Sequence, residues 1–407
     1  MVKKEATLKR SISLALLTFY GLGTIVGAGI YVLVGEVAGR AGMFTPIAFL
    51  LSAIIAAFTG ISYAELSARY PKSAGEAIYA KKGFNNVHFS TLIGLLIVLT
   101  GVTSSATLMR GFTGYFQIFF NIPTWVIIVV GVLILGIVAA WGIIESLTAA
   151  MIITVIEIGG ILLVVWSARA SFLTLPSRLP EMLPGFGGGA WLGIMLGSFI
   201  AFFAFIGFED MVNIAEEVKR PKRNLPLGIF IALGGATILY MLVATVAVLA
   251  LPLDQLAAST TPLAEIYTQS TGSAPTLIAI ISLFAIVNGA LVQKIMCSRI
   301  LYGLSAQKQL PKILSRVHPW TRTPVIATGV VVAIVLVLAL WLPLVTLAKV
   351  ASTVILIVYA TLNLALVRIK LKYPNPEEVR TYHISVPIIG FILCTAFVLF
   401  QLVSVLI

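Results

Sequence analysis

Long apolar stretches separated by short polar connections fill the chain from end to end. Each stretch is about as long as the roughly 20 mostly apolar residues that an α-helix needs to cross the hydrocarbon core of a bilayer. Eleven can be marked, at about 13–37, 44–68, 87–119, 123–141, 147–167, 191–214, 226–251, 274–305, 324–342, 345–368 and 386–407. The pattern predicts an all-α polytopic membrane protein with about eleven transmembrane helices in a single transmembrane domain spanning 1–407. The first run is too long and too rich in glycine for a cleaved signal peptide. The longest connections, 168–190 and 252–273, leave no room for a soluble domain.

Composition agrees with the pattern. Of 407 residues, 59% are hydrophobic and 10% charged, with a mean hydropathy of +1.07. A soluble domain carries about 25% charged residues. The net charge of +12 does not point to nucleic acid, because the cations sort by side of the membrane. The N-terminus (Lys3, Lys4, Lys9, Arg10) and each alternate connection after it carry four or five Lys or Arg. The opposite connections hold Arg40, Arg110, Arg169 and Arg178. This asymmetry places the N-terminus in the cytoplasm, and the expected location is the cell membrane, with the lipid bilayer as partner. Cys297 and Cys394 stand in apolar contexts and suggest neither a disulfide framework nor a metal site. His88, His318 and His383 lie in or beside connections, so a histidine relay at the midplane is not expected. There is no phosphate-binding loop, no HExxH and no GxSxG, hence no sign of an ATPase or a membrane enzyme.

Two stretches interrupt the pattern. The first run reads TFYGLGTIVGAGIYVLVGE (18–36), with Gly21, Gly23, Gly27 and Gly29 in the middle of a helix-length segment. Glycine costs a helix interior about 1 kcal/mol relative to alanine. Gly23/Gly27 and Gly35/Gly39 also fit the small-residue spacing of close helix packing. The alternative is an unwound hinge, whose restarting half offers backbone N–H groups and a helix dipole to an anion. The sixth run contains FFAFIGFED (202–210), with two acids at membrane depth. It lies five runs after the first and therefore runs antiparallel to it. Interrupted helices at corresponding positions in two halves point to the binding site of a secondary transporter. Amides at one break and carbonyls at the other, about Phe203 to Ile206, together suit an α-amino acid.

These residues carry a resemblance. GLGTIVGAGIYVL (21–33), SYAELSARYPKSAGEAIYAKKGF (62–84), FFAFIGFEDMVNIAEEVKRPKRNLPLGI (202–229) and SRILYGLSAQKQLPKILSRVHPWTRTPVIAT (298–328) resemble the signatures of the amino acid–polyamine–organocation (APC) transporters. The resemblance implies a five-plus-five inverted repeat, the LeuT-like fold, with helices 1 and 6 broken. The first repeat is then 13–167, the second 191–368, and 386–407 is a peripheral helix. It further implies that Gly27, Ala28 and Gly29 supply amides to a substrate carboxylate. Thr24 and Ile25 belong to the same break. Ile206 offers a carbonyl to the ammonium, Phe203 stands as a gating aromatic beside Phe205, and Glu209 is the acid that follows the break.

Ionisable residues at membrane depth are functional candidates by default. Glu157, mid-span in the fifth run, stands where some members of the family carry a lysine that bridges helices and carries the coupled proton. A neutral Glu157 could donate to the Gly23 carbonyl; an ionised one could hold sodium or pair with Lys294; a buried structural role is the third option. Lys294 is expected to snorkel toward the cytoplasm, and Glu209 either caps the broken helix or meets substrate. Thr100, Thr103, Ser104 and Thr107 form one polar stripe at helical spacing on the third helix, lining a pocket or joining helices; Thr103 and Ser104 are the candidates for substrate contact. The sequence thus reads as a secondary importer of amino acids, neutral rather than basic, working by proton-coupled symport with alternating access. No cofactor is expected beyond the proton, with sodium second. The alternatives are an exchanger without ion coupling and a non-transporting amino acid receptor on the same fold.

Overall fold

The computed structural model describes residues 10–27, 29–72, 75–141, 147–185, 188–374, 376 and 379–406. Among them there is no strand, only one isolated parallel bridge between Ile12 and Val218. Everything else of length is helical. A backbone in lipid has no water to satisfy its N–H and C=O groups, so apolar runs of this length fold as helices.

The first run gives α1 (Leu14–Val26) and α2 (Gly29–Ala41). Ser13 caps α1, its hydroxyl accepting the Leu16 N–H at 3.3 Å. Then come α3 (Thr45–Arg69), α4 (Gly75–Phe84), α5 (Val87–Gln117), α6 (Thr124–Trp141) and α7 (Leu147–Ser167). A short α8 (Leu175–Met182) precedes α9 (Gly188–Ala201), a 3-10 turn at Phe202–Phe205 and the four-residue α10 (Asp210–Asn213). After α11 (Pro221–Ala250), two short helices, α12 (Leu253–Ala258) and α13 (Pro262–Thr271), lead to α14 (Thr276–Ala306). The chain ends with α15 (Val325–Trp341), α16 (Leu344–Lys372) and α17 (Ser385–Leu406).

Nine helical stretches among the described residues are long and apolar enough to cross a membrane, so the chain is a polytopic membrane protein. The count differs from the eleven expected runs for two reasons. Leu14–Arg69 is one apolar stretch of 56 residues that contains the first two runs, and Val325–Trp341 is short. α3 packs on α11, α5 on α14 and α16, α2 on α9, and α1 on α11 and α7.

Polar groups inside this bundle are paired across helices. At the end of α3, the Glu65 carboxylate accepts hydrogen bonds from Arg69, from Lys370 Nζ at 2.6 and 2.7 Å, and from the Tyr382 N–H. Its side chain is fully buried. A buried carboxylate persists when it is paired and its lone pairs are satisfied. One turn earlier, Ser62 donates to Asn363 Oδ1 at 2.6 Å and the Asn363 amide donates to Thr59. These bonds tie α3 to α16 next to the broken helices.

Candidate functional site

The two interruptions meet. α1 ends at Val26, and the Gly27 N–H closes its last turn on the Gly23 carbonyl at 3.1 Å. In the sixth run, Ile206 is extended (φ −69°, ψ 134°) and Gly207 has φ +130°. That φ is open to glycine and strained for any side chain. A Cβ on Gly207 would also lie 2.4 Å from the Thr24 carbonyl oxygen. Thr24 Oγ1 donates across the same contact to the Gly207 carbonyl at 3.0 Å. On the other side, a Cβ on Gly29 would lie 2.5 Å from Ala204 Cα. The glycines at these positions therefore let one broken backbone press directly on the other.

A tyrosine absent from the expected set holds the pair together. Tyr240, fully buried on α11, places its hydroxyl 2.6 Å from the Ile25 carbonyl and 2.8 Å from the Ala204 carbonyl. One proton is shared between an acceptor from each break. The carbonyls foreseen as open at the sixth break are thus partly engaged: Ala204 by Tyr240, and Phe203 by the Ile206 N–H at 3.2 Å.

A cavity lies at this junction. Gly23, Thr24, Ile25, Gly29, Phe203 and Ile206 wall it from the breaks, Ser104 and Leu108 from α5, and Asn288, Gly289, Val292 and Gln293 from α14. None of these carries a charge. The space is about 30 Å³, room for a water molecule or two. Ser104 is buried and its hydroxyl has no partner among the described residues. The rest of its stripe turns away: Thr100, Thr103 and Thr107 bond back to carbonyls of α5 itself, Thr103 to Leu99 and Thr100 at 2.8 and 2.9 Å. A threonine in a helix commonly satisfies its hydroxyl that way, so helical spacing alone could not tell it from Ser104.

Other expected residues stand apart from the cavity. Ala28 lies outside the described residues. Phe205 packs its ring against Tyr240, with centroids 5.1 Å apart. Glu209 is buried behind the break, where its Oε2 accepts the Gly207 N–H at 2.8 Å and the Tyr359 hydroxyl at 2.6 Å. Glu157 is fully buried and does not meet Gly23. The residue of α7 that faces Gly23 is Thr154, whose Oγ1 a Cβ there would approach to 2.1 Å. Glu157 Oε1 instead accepts from Asn288 Nδ2 at 3.2 Å, and its backbone carbonyl accepts the Tyr31 hydroxyl at 2.6 Å. Its Oε2 has no partner among the described residues. Lys294 does not snorkel. It is completely buried and donates to Ser105 Oγ at 2.8 Å, because α14 runs on three further turns and keeps that position inside the bundle. The sequence reading missed Asn288, although a lone amide in LFAIVNGALVQ (283–293) was a signal at membrane depth.

One further space opens toward the face bearing the basic connections. It measures about 430 Å³ and is bounded by Tyr20, by Ala77, Ile78 and Lys81 of α4, by Asn213 and Ile214, and by Met296, Arg299 and Gly303 of α14, among others. On the opposite face, α2 is covered. α12 lies on α2, where a Cβ on Gly35 would meet the Leu256 carbonyl oxygen at 2.5 Å, and Tyr115 donates to the Tyr31 carbonyl at 2.7 Å.

Two helix breaks pressed together around a small uncharged cavity in a polytopic bundle are the architecture that the sequence motifs imply, and comparison with known proteins decides the family. The amino acid permease family model matches residues 12–405. The chain belongs to that family. It is an APC transporter family member, as the four motifs indicated. Among similar proteins, the branched-chain amino acid permease BcaP of Bacillus subtilis is 29% identical over 400 residues, covering 91% of this chain and 83% of that one. The vacuolar cationic amino acid transporter 4 of Arabidopsis thaliana is 30% identical over 400 residues, covering 91% of this chain and 65% of that longer protein. The methylthioribose transporter of Bacillus subtilis is 26% identical over 396 residues, covering 91% and 84%. The chain thus spans most of these bacterial relatives and less than two thirds of that plant one.

Proposed function

We propose that the protein is a secondary transporter that imports neutral amino acids together with protons by alternating access. The observation that carries this reading is Asn288, which lines the cavity between the two breaks and donates its amide N–H to Glu157. Substrate site and buried acid are then one side chain apart. A carboxyl whose Oε2 is buried without a partner among the described residues is where a proton can be taken up or lost with least disturbance of other bonds. Loss or gain of that proton changes what Asn288 bonds to, and so changes a wall of the cavity.

The uncharged lining favours a neutral substrate. A cationic side chain would need a carboxylate, and Glu209 is bonded to Tyr359 and Gly207 instead. Of the relatives, the branched-chain permease fits this lining better than the cationic transporters do. The backbone of both breaks holds the amino and carboxyl groups in this reading, with Phe203 and Leu108 giving way to admit the side chain. The first five and next five runs form the two inverted repeats, a reading supported by matching ranks: break with break, α3 with α11, α5 with α14. With the N-terminus in the cytoplasm of a cell-membrane protein, the 430 Å³ space is the cytoplasmic half of the path, and the covered face of α2 is the closed outer gate.

The test is uptake of a panel of labelled amino acids into proteoliposomes, with and without an inward proton gradient, for the wild type and Glu157→Gln. Gradient-driven uptake of neutral amino acids that loses its gradient dependence in E157Q supports the reading. Exchange that ignores the gradient and survives E157Q replaces it with an uncoupled exchanger.

A further inference from the structure

A second group of acids sits at the inner end of the broken sixth run. Glu76 lies in the first turn of α4, in the connection between α3 and α5, yet it is only 3% exposed, and its Oε1 has no hydrogen-bond partner among the described residues. Facing it across the seam are Glu209 and Asp210, both buried, with which it interacts electrostatically. The seam is tight: a Cβ on Gly75 would stand 2.6 Å from Val212 Cγ2 of α10 and 2.8 Å from Tyr79 Oη.

The surroundings leave Glu76 the odd member. Glu209 has two donors, Gly207 N–H and Tyr359 OH. Asp210 Oδ2 accepts from Gln293 of α14 at 3.4 Å. From α3 comes Tyr63 and from α4 Tyr79; both hydroxyls are buried without partners among the described residues, and their rings are 6.3 Å apart. From α14, Lys294 directs its ammonium to Ser105 and Cys297 its thiol to the Val98 carbonyl. Lys81 and Lys82 are at the far end of α4. Like carboxylates that interact in a buried site do not all ionise. Burial pushes the Glu76 carboxyl up from 4.5 to about 8; its own backbone N–H opposes the shift and the Glu209 charge adds to it.

We propose that Glu76 is a proton-binding site separate from Glu157, whose proton holds α4 against the inner half of the sixth run and whose loss loosens that seam. The proposal rests on reading the 430 Å³ space as the cytoplasmic half of the path, since α4 and the end of α10 form one of its walls. It does not depend on Glu157 carrying the transported proton. The packed seam holds its proton more tightly than an opened, hydrated seam does. Between the ordinary carboxyl range and pH 8, each rise in pH therefore favours opening, by up to about tenfold per unit. Above about pH 8 the packed form has lost its proton too, and the effect levels off.

Val212 is completely buried in the seam, so a cysteine there reports opening. The experiment measures maleimide labelling of V212C, in a C297S/C394S background, from pH 5.5 to 9. Rates are divided by that of a small thiol at each pH. With Glu76 present, the normalised rate should rise at least tenfold and level off near pH 8; with E76Q it should stay flat at the low-pH value. Flat curves in both proteins overturn the proposal, as does an E76Q protein that differs already at pH 5.5, or a curve that changes when choline replaces sodium. If E76Q does not fold, E209Q serves: Glu209 is the acid whose charge raises Glu76, so with that charge gone the rise should end at lower pH, and an unchanged curve overturns the proposal. E157Q should leave the labelling curve unaltered while abolishing gradient-driven uptake, so the two readings fail separately.

Discussion

Replacing Gly23 with alanine tests whether this glycine serves as a hinge or as a point of close approach. An added Cβ would stand 2.1 Å from Thr154 Oγ1, 3.3 Å from Thr154 Cβ and 3.5 Å from its Cγ2. Only the hydroxyl is impossible to accommodate in place. Thr154 Oγ1 donates to the Ala150 carbonyl at 2.9 Å, so swinging it aside breaks that bond; the alternative is to part α1 from α7 by about 1 Å. Overpacking of this kind costs about 1–3 kcal/mol, which is roughly a 5–150-fold loss if it falls on substrate binding. Thr154→Ala removes the offending oxygen and leaves a 3.3 Å contact that a shift of a few tenths of an ångström relieves. The double variant G23A/T154A should therefore recover most of the loss, with a coupling of about 1–2 kcal/mol between the two sites. The assay is thermal unfolding of the purified proteins in detergent, together with KM for the best neutral substrate in proteoliposomes. If G23A/T154A is no better than G23A alone, or G23A is harmless, then close approach is not why glycine stands at position 23.

Tyr240→Phe removes the donor shared by Ile25 and Ala204. Leaving buried carbonyls unpaired costs about 1–3 kcal/mol; the melting temperature should fall and KM rise, while an unchanged KM would show that the tyrosine only fills space. Asn288→Ala strips Glu157 of its side-chain donor and should weaken gradient-driven uptake more than gradient-free counterflow; equal loss in both would separate Asn288 from coupling. Glu65→Ala takes the shared carboxylate from Arg69 and Lys370 and should destabilise by about 3–5 kcal/mol. Adding Lys370→Met should restore part of that, and a double variant as unstable as E65A would refute the pairing account.

The sequence by itself determined that this chain lives in a membrane, that its mass is helical, and where its two interruptions lie. Those features rest on local properties. Hydropathy over some twenty residues decides what can sit in lipid, and a cluster of glycines, or two acids at membrane depth, marks where a helix is interrupted. Thr24, Ile25, Gly29, Phe203 and Ile206 were readable as site residues from those breaks together with the family motifs, Ser104 from helical spacing, and Gly23 only as a partner for Glu157. What the helices present to one another was not readable. Helical spacing gave Thr103 and Ser104 the same face, and only the packing of α5 on α14 shows that one bonds its own backbone while the other is left over the cavity. Glu157 was visible as an acid in lipid, but its partner could have been Gly23, Lys294 or an ion. The rotation of α7 turned Thr154 toward Gly23 and Glu157 toward Asn288, since one residue of register is about 100° of azimuth. Tyr240, Glu76 and Lys294 owe their roles to contacts over long separations in the chain, between elements whose crossing no local pattern encodes. A single sequence fixes the solvent each residue prefers; its neighbours in that solvent are set by how the whole bundle closes.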